Sequence, residues 1–503
     1  MKNRKNIWTN LIGICLYIAA IIAGTYIVLQ TKAGDIWYDE VFSIGFVKDG
    51  WKDIIAYTAK DVHPPLYYLY LKICTIIFKP LGAVVAGKIA SCIPLFGMLI
   101  IAAVFVRKRY GMTAMGGYSL LITLMPQLAV YYVEIRMYSF AMLIITIAGC
   151  ALICLLEDDK PLYWATFFVF SLMAAYTQYF AAVAVAALYI MLFLFFACGK
   201  EKKKKKKAGI VLILAVASVI CYLPWLPTFL KQVSNVSASY WIAPMTLRSL
   251  PGCMKFIFLP ITGEGNIAYV AAGLEITVIF VIYLLLLIKK SKVEKTDFFA
   301  AFIGIVPILT IVVVGYIASL MGSPIFTYRY MVPVYGLLYL GVIVGITSLK
   351  NRHITAILIA VVAFSGILSM KDFVYEENRK ANEFEHAQQL LGEIPEGSVI
   401  IANFDHVATI SAYYFPTDTV YVYDGETDAL VGDMFKGAGK KATDNDVRKL
   451  IENNKDVYFL GSFVVRDEIV KNWEEFGITS EYSDECMVER YWMNVYRLGL
   501  KNE

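Results

Sequence analysis

The chain has 503 residues, 59% of them hydrophobic, with a mean hydropathy of +0.61 and a formal net charge of +5. Soluble domains are only about 45–50% apolar, so this excess excludes an ordinary soluble protein and indicates a polytopic membrane protein. The lysines and arginines gather in short clusters between apolar runs while the C-terminal part holds much of the acid, a topology signature and not a nucleic-acid footprint.

The basic start, Met1 to Lys5, precedes an apolar run without a small-residue cleavage site, which reads as an uncleaved first span. Two polar patches follow. They are Trp37-Tyr38-Asp39-Glu40 and Asp61-Val62-His63-Pro64-Pro65-Leu66-Tyr67-Tyr68. Ionisable groups are costly to desolvate at a membrane boundary, so such a cluster marks a candidate site; its plain alternative is a wet interfacial loop with an aromatic belt. Leu66 to Phe78 is apolar, but its length of about 13 residues gives about 20 Å of helix against about 30 Å of hydrocarbon. It is read as a re-entrant or surface-lying helix within a first outer loop over 31–82.

Apolar runs long enough to span begin near residues 8, 83, 112, 138, 162, 181, 209, 267, 298, 330 and 354, which predicts about 11 transmembrane helices. With the N-terminus inside and Leu66–Phe78 not crossing, every basic cluster falls on the cytoplasmic side. These are Arg107 to Arg109, Lys160, Lys200 to Lys207, Lys289 to Lys295 and Lys350 to Arg352. The Lys202 to Lys207 run, between two spans, is thus a cytoplasmic anchor near anionic lipid. The same parity places both polar patches, Tyr131 to Arg136, Tyr176 to Tyr179, the Pro224 to Pro251 loop and Gly322 to Tyr330 on the outer face.

Residues 371–503 read as a small soluble α/β domain, also outside. Ser398 to Ala402, Thr419 to Tyr423 and Asp456 to Leu460 are strand-like, and helical patterns run over Asn382 to Leu391, Val407 to Tyr414 and Thr443 to Asn453. No dinucleotide or phosphate-loop motif is present, so the domain fits a cap or acceptor-docking part. Seven of the nine cysteines lie in apolar stretches and none forms a CxxC, which supports neither a disulfide framework nor a zinc site.

Individual residues carry the chemistry. Asp39, partly shielded by Trp37 and Tyr38, suits a general base. Glu40, adjacent on an extended segment, would point the opposite way. Asp61 and His63 share one face of an extended segment ahead of Pro64, so Asp61 could orient His63 or both could meet a headgroup; a lone loop histidine is more often idle. Glu134 and Arg136, in Tyr131 to Tyr138, would be a local ion pair or part of a site. Arg329, beside Tyr330, would snorkel to lipid phosphate or grip a ligand phosphate with two hydrogen bonds. Lys88 lies inside an apolar helix, where an ammonium needs a partner.

Together, Asp39-Glu40, Asp61-x-His63-Pro64-Pro65-Leu66-Tyr67-Tyr68, Glu134-x-Arg136-x-Tyr138 and Arg329-Tyr330 followed by Pro333 resemble the bacterial family 39 glycosyltransferases. These are GT-C-fold enzymes related to protein O-mannosyltransferases and the lipid A aminoarabinose transferase, and the likeness covers most of residues 1–370, a transmembrane catalytic domain. The resemblance implies a polyprenyl-phosphate sugar donor, a catalytic aspartate at Asp39, and His63 as the basic residue before the paired prolines. It implies nothing about the acceptor, which could be protein, lipid or cell-wall glycan. Glu40 and Asp61 are further catalytic candidates; His63, Lys88, Glu134, Arg136, Tyr138, Arg329 and Tyr330 are substrate-binding candidates. The reading requires no cofactor, with a divalent metal ion the one open alternative. The competing reading is a transporter or flippase for a lipid-linked or anionic substrate, which internal repeats and midplane charges would favour; neither stands out, and a non-enzymatic assembly scaffold would leave the outer patches unexplained.

Overall fold

A long apolar run in lipid can satisfy its backbone only within itself, so each such run folds as a helix. The computed structural model describes residues 2–501 except 33, 35, 237–241, 261–264, 323, 426–428, 436 and 490. The Met1 to Lys5 cluster lies outside the described side chains, as do parts of the Pro224 to Pro251 and Gly322 to Tyr330 segments. The chain divides into two units. The first comprises Met1–Thr31, Val62–Cys74 and Lys88–Val374; the second comprises Lys32–Asp61, Thr75–Gly87 and Tyr375–Glu503.

The first unit is helical. Among the described residues eight helices, from Ile7–Gln30 to Arg352–Leu391, are long and apolar enough to cross a membrane, and Lys202–Tyr222 with Leu226–Ser234, bent by 70°, counts as a ninth if the pair is one broken span. Met112–Leu124 and Pro161–Ala175 are shorter apolar helices. Each of the eleven expected runs therefore falls on an apolar helix, and the chain is a multi-pass membrane protein. Leu66–Ile77 is a 12-residue helix that buries Tyr67, Tyr68, Leu71 and Cys74 on one face. The first-unit core is rich in fully buried tyrosines, among them Tyr118 and Tyr132, whose hydroxyls donate to the main-chain oxygens of Gly336 (3.2 Å) and Ile122 (2.7 Å).

The basic clusters beyond residue 100 collect at one end of this unit. Arg109 pairs with Glu157, and Lys207 lies 3.5 Å from Asp159. Lys295 sits over the Phe195 ring at 5.9 Å. Asp297, on the helix that Lys295 opens, interacts with both Arg109 and Ser348, the latter two residues before Lys350.

The second unit contains a six-stranded sheet: β1 (Val399–Ala402), β2 (Thr419–Tyr423), β3 (Lys440–Ala442), β4 (Val457–Gly461), β5 (Ile478–Val488) and β6 (Tyr491–Leu500), ordered β3-β2-β1-β4-β6-β5. The first four are parallel, as expected of strands alternating with helices, and β5–β6 form an antiparallel hairpin on β4. The α/β expectation holds, with β3 and the hairpin as additions. Its core is Ile401, Val457, Phe459, Ile478 and Leu498 around the fully buried Trp473, whose Nε1–H donates to Asp444 Oδ1 at 3.0 Å. The expected Asn382 to Leu391 helix is the end of a continuous 40-residue helix, Arg352–Leu391.

Candidate functional site

The first polar patch is helical, not extended. Tyr38–Lys48 and Trp51–Lys60 are two helices of the second unit. The reason lies in Glu40. Its carboxylate reaches back to accept the Trp37 N–H at 3.2 Å, satisfying a donor that a helix start leaves open. Asp39 and Glu40 thus do not point opposite ways across a strand; they leave the helix about 100° apart. Glu40 is buried, and the neighbouring Tyr413 phenol is pushed up first by burial and then by the Glu40 charge. Asp39 is half-buried in the first helical turn, where aligned peptide dipoles favour negative charge. Its main-chain oxygen accepts the Ser43 hydroxyl at 3.0 Å. Asp61 follows the second helix, its N–H donating to Tyr57 O at 3.0 Å.

This helical pair is built into the C-terminal part of the same unit. The Tyr38 ring stacks on His406 at 3.8 Å between centroids. A Cβ on Gly45 would lie 2.6 Å from Met434 Sδ, so a larger residue there would make the Met434 side chain move. Lys60 Nζ lies 2.5 Å from Asp433. The Tyr57 hydroxyl donates to Asp49 at 2.7 Å, and burial, with that carboxylate, pushes its phenol up to about 12.

The remaining candidates belong to the first unit. His63 is buried, and the chain bends over residues 61–63, so the expected extended segment is not formed there. Arg136 is buried, and its Nη1 donates to Tyr68 Oη at 3.4 Å. Glu134 is buried as well, and its main-chain oxygen accepts both the Arg136 N–H (2.7 Å) and the Ser91 hydroxyl (2.5 Å). The Arg329 guanidinium lies 6.0 Å from the Tyr138 ring centroid, a cation–π arrangement. Tyr138 interacts electrostatically with Arg329, Arg136, Tyr330 and Glu134. The Tyr330 ring stacks on Phe180 at 4.8 Å. Four substrate-binding candidates therefore converge on a fifth, Tyr138, while half-buried Lys88 stands one turn before Cys92 on the Ala83–Ile101 helix.

Two cations and an acid gathered in an apolar body can hold an anionic group and stabilise growing charge on it. Among the described residues no group of three or more His, Cys, Asp or Glu side chains is placed to hold a metal ion. Sequence reading named Tyr68 within the second patch but gave it no role, and it missed Ser91 and His406, whose partners lie too far along the chain for spacing to reveal. It also passed over Glu275, fully buried within Asn266–Ile288, with Ser365 and Tyr339 as polar neighbours.

No family model and no curated protein sequence matches the chain. Solved structures do. ArnT from Cupriavidus metallidurans bound to undecaprenyl phosphate superposes with a TM-score of 0.59 at 12% identity, covering 96% of this chain and 97% of that one. The arabinofuranosyltransferase AftD from Mycobacteria superposes with a TM-score of 0.52 at 11% identity, covering 97% of this chain and 40% of AftD. At such identities the likeness speaks for the fold: the chain has the GT-C architecture, a polytopic helical membrane part with a small α/β domain.

Proposed function

We propose that the chain is a membrane glycosyltransferase that moves a sugar from a polyprenyl-phosphate donor to an acceptor outside the cytoplasm. The observation that carries this reading is the near-complete superposition on ArnT, a protein whose structure holds undecaprenyl phosphate. The convergence of Arg136 and Arg329 on Tyr138 supports a phosphate grip in the first unit. Asp39, half-buried at a helix start, supplies the base. His63 and Lys88 remain substrate-binding proposals, and Glu40 and Asp61 orient the Asp39 segment.

The step follows from these groups. The acceptor O–H or N–H gives its proton to the Asp39 carboxylate, and the acceptor atom attacks the sugar C1 from the face opposite the leaving group. The C1–O bond breaks, its electron pair leaves with the lipid phosphate, and the arginines stabilise the charge that grows there. Single displacement inverts the anomeric centre. The acceptor is a protein, a lipid or a cell-wall glycan.

The test is turnover by purified protein offered a panel of polyprenyl-phosphate sugars, with products read by mass spectrometry and their anomers by NMR. Release of free polyprenyl phosphate with an inverted product is expected. A donor that crosses the bilayer without being consumed would replace this reading with a transporter.

A further inference from the structure

The C-terminal part holds a second concentration of chemistry that the transfer step does not use. In the sheet order β3-β2-β1-β4-β6-β5, the chain moves from β1 out through β2 and β3, then returns to place β4 on the other side of β1. The gap beyond the carboxyl ends of β1 and β4 is therefore a topological switch point, where open α/β sheets bind ligands. The two loops leaving it are tied together: Asn403 Nδ2 donates to Ser462 O at 2.8 Å, and Ser462 N–H returns the bond to Asn403 Oδ1 at 2.8 Å.

Aromatic rings crowd this edge. Phe404 stacks on His406 (4.8 Å, 7° between planes), which stacks on Tyr38 (3.8 Å, 16°). Phe463 stands edge-on to Phe404 at 5.3 Å and to Tyr491 at 6.1 Å. Phe463 is 52% exposed and holds φ at +61°, a left-handed backbone that a bulky side chain adopts only at a cost. Strain of this kind persists where the fold fixes it, and it collects at ligand sites. The rim is polar. Asp405 Oδ1 lies 2.8 Å from His406 Nδ1, with the imidazole and carboxylate 31% and 35% exposed. An Nδ1–H given to Asp405 makes Nε2 the acceptor nitrogen.

We propose that this edge is a saccharide-binding site that holds a sugar ring of the acceptor. Ring faces and edges suit the apolar C–H face of a pyranose, and a carboxylate beside an imidazole suits its hydroxyls. Tyr38, one residue before Asp39, ties the site to the helix that carries the base. The acceptor assignment rests on the glycosyltransferase reading; the binding of saccharide does not.

The test uses full-length protein in lipid nanodiscs on an array of mono- and oligosaccharides. Phe463→Gly is the informative variant, because it removes the ring while relaxing the left-handed backbone, and its thermal midpoint separates a lost contact from misfolding. Wild type should retain at least one saccharide class, and Phe463→Gly and Tyr491→Ala should each weaken that retention about tenfold, the scale of one lost ring contact. The thermal midpoint of Phe463→Gly should not fall. Absence of saccharide binding by wild type, or binding by both variants as strong as that of wild type, overturns the site whatever the turnover. Binding by wild type with no consumption of any polyprenyl-phosphate sugar would sink the transferase reading and leave the site standing.

Discussion

At the residue scale the transfer reading rests first on Asp39. Asparagine keeps its shape and removes the base, so Asp39→Asn should lower transfer by about 10² or more while the protein still inserts and folds. Near-normal transfer in a time course of product formation would remove Asp39 from that role. Arg329 gives a sharper comparison. Its planar fork can grip phosphate in two places and lies against the Tyr138 ring, neither of which an ammonium reproduces. Arg329→Lys should therefore lower kcat and raise KM for the donor while leaving acceptor KM within about twofold. An arginine that merely snorkels to lipid predicts unchanged donor kinetics. How far single residues were legible follows from what sequence records. Asp39 and Arg329 were visible because charge beside apolar spans is rare. Glu40 was visible but misjudged, because its task of closing the helix on the Trp37 N–H depends on a helix that the aromatic, charged patch did not announce. His406 was invisible, since its partner Tyr38 lies in a different stretch of chain.

At the element scale, lipid makes helices easy to read, because a run without internal hydrogen bonds cannot stay in hydrocarbon. Packing between them is a matter of small residues. A Cβ on Gly13 would lie 2.3 Å from the Met112 main chain, and one on Gly116 would lie 2.4 Å from Gly13 O, so the Lys2–Gln30 and Met112–Leu124 helices touch through backbone. Gly116→Leu should force them apart at a cost of about 1–3 kcal/mol, seen as a lower thermal midpoint of the detergent-solubilised protein. Gly209→Leu, whose Cβ meets nothing within 4 Å, is the control and should leave the midpoint in place. Short elements outside the apolar runs were harder to read. Trp51–Lys60 buries only Ile54 and Thr58, too few positions to make a helical stripe. The β5–β6 hairpin turns near Glu489 at φ +61°, a residue type that carries no turn signal. The parallel strands β1, β2 and β4 were legible because β-branched and aromatic residues fill them.

At the scale of the whole molecule, charge parity makes a claim that the contacts strengthen. Arg109, Lys207 and Lys295, with Ser348 beside Asp297, come from four separate connections between apolar helices, yet they meet at one end of the first unit. Had one apolar run between them been wrongly taken as a span, one of these clusters would sit at the opposite end. Positive charge is retained on the cytoplasmic side, so the expectation is that this shared end is the inner one. On the proposed function the orientation also bears on the acceptor, since a base that takes the acceptor's proton must stand where the acceptor is. The expectation is specific: N-terminus inside, eleven crossings, and residues 371–503 outside. In a cysteine-free variant, a cysteine introduced at Lys204 should stay unreactive to a membrane-impermeant maleimide in intact cells and react only after permeabilisation. One introduced at exposed Val464 should react without it. Labelling of Lys204→Cys in intact cells would invert the orientation and, with it, place Asp39 on the wrong side for an acceptor outside the cell.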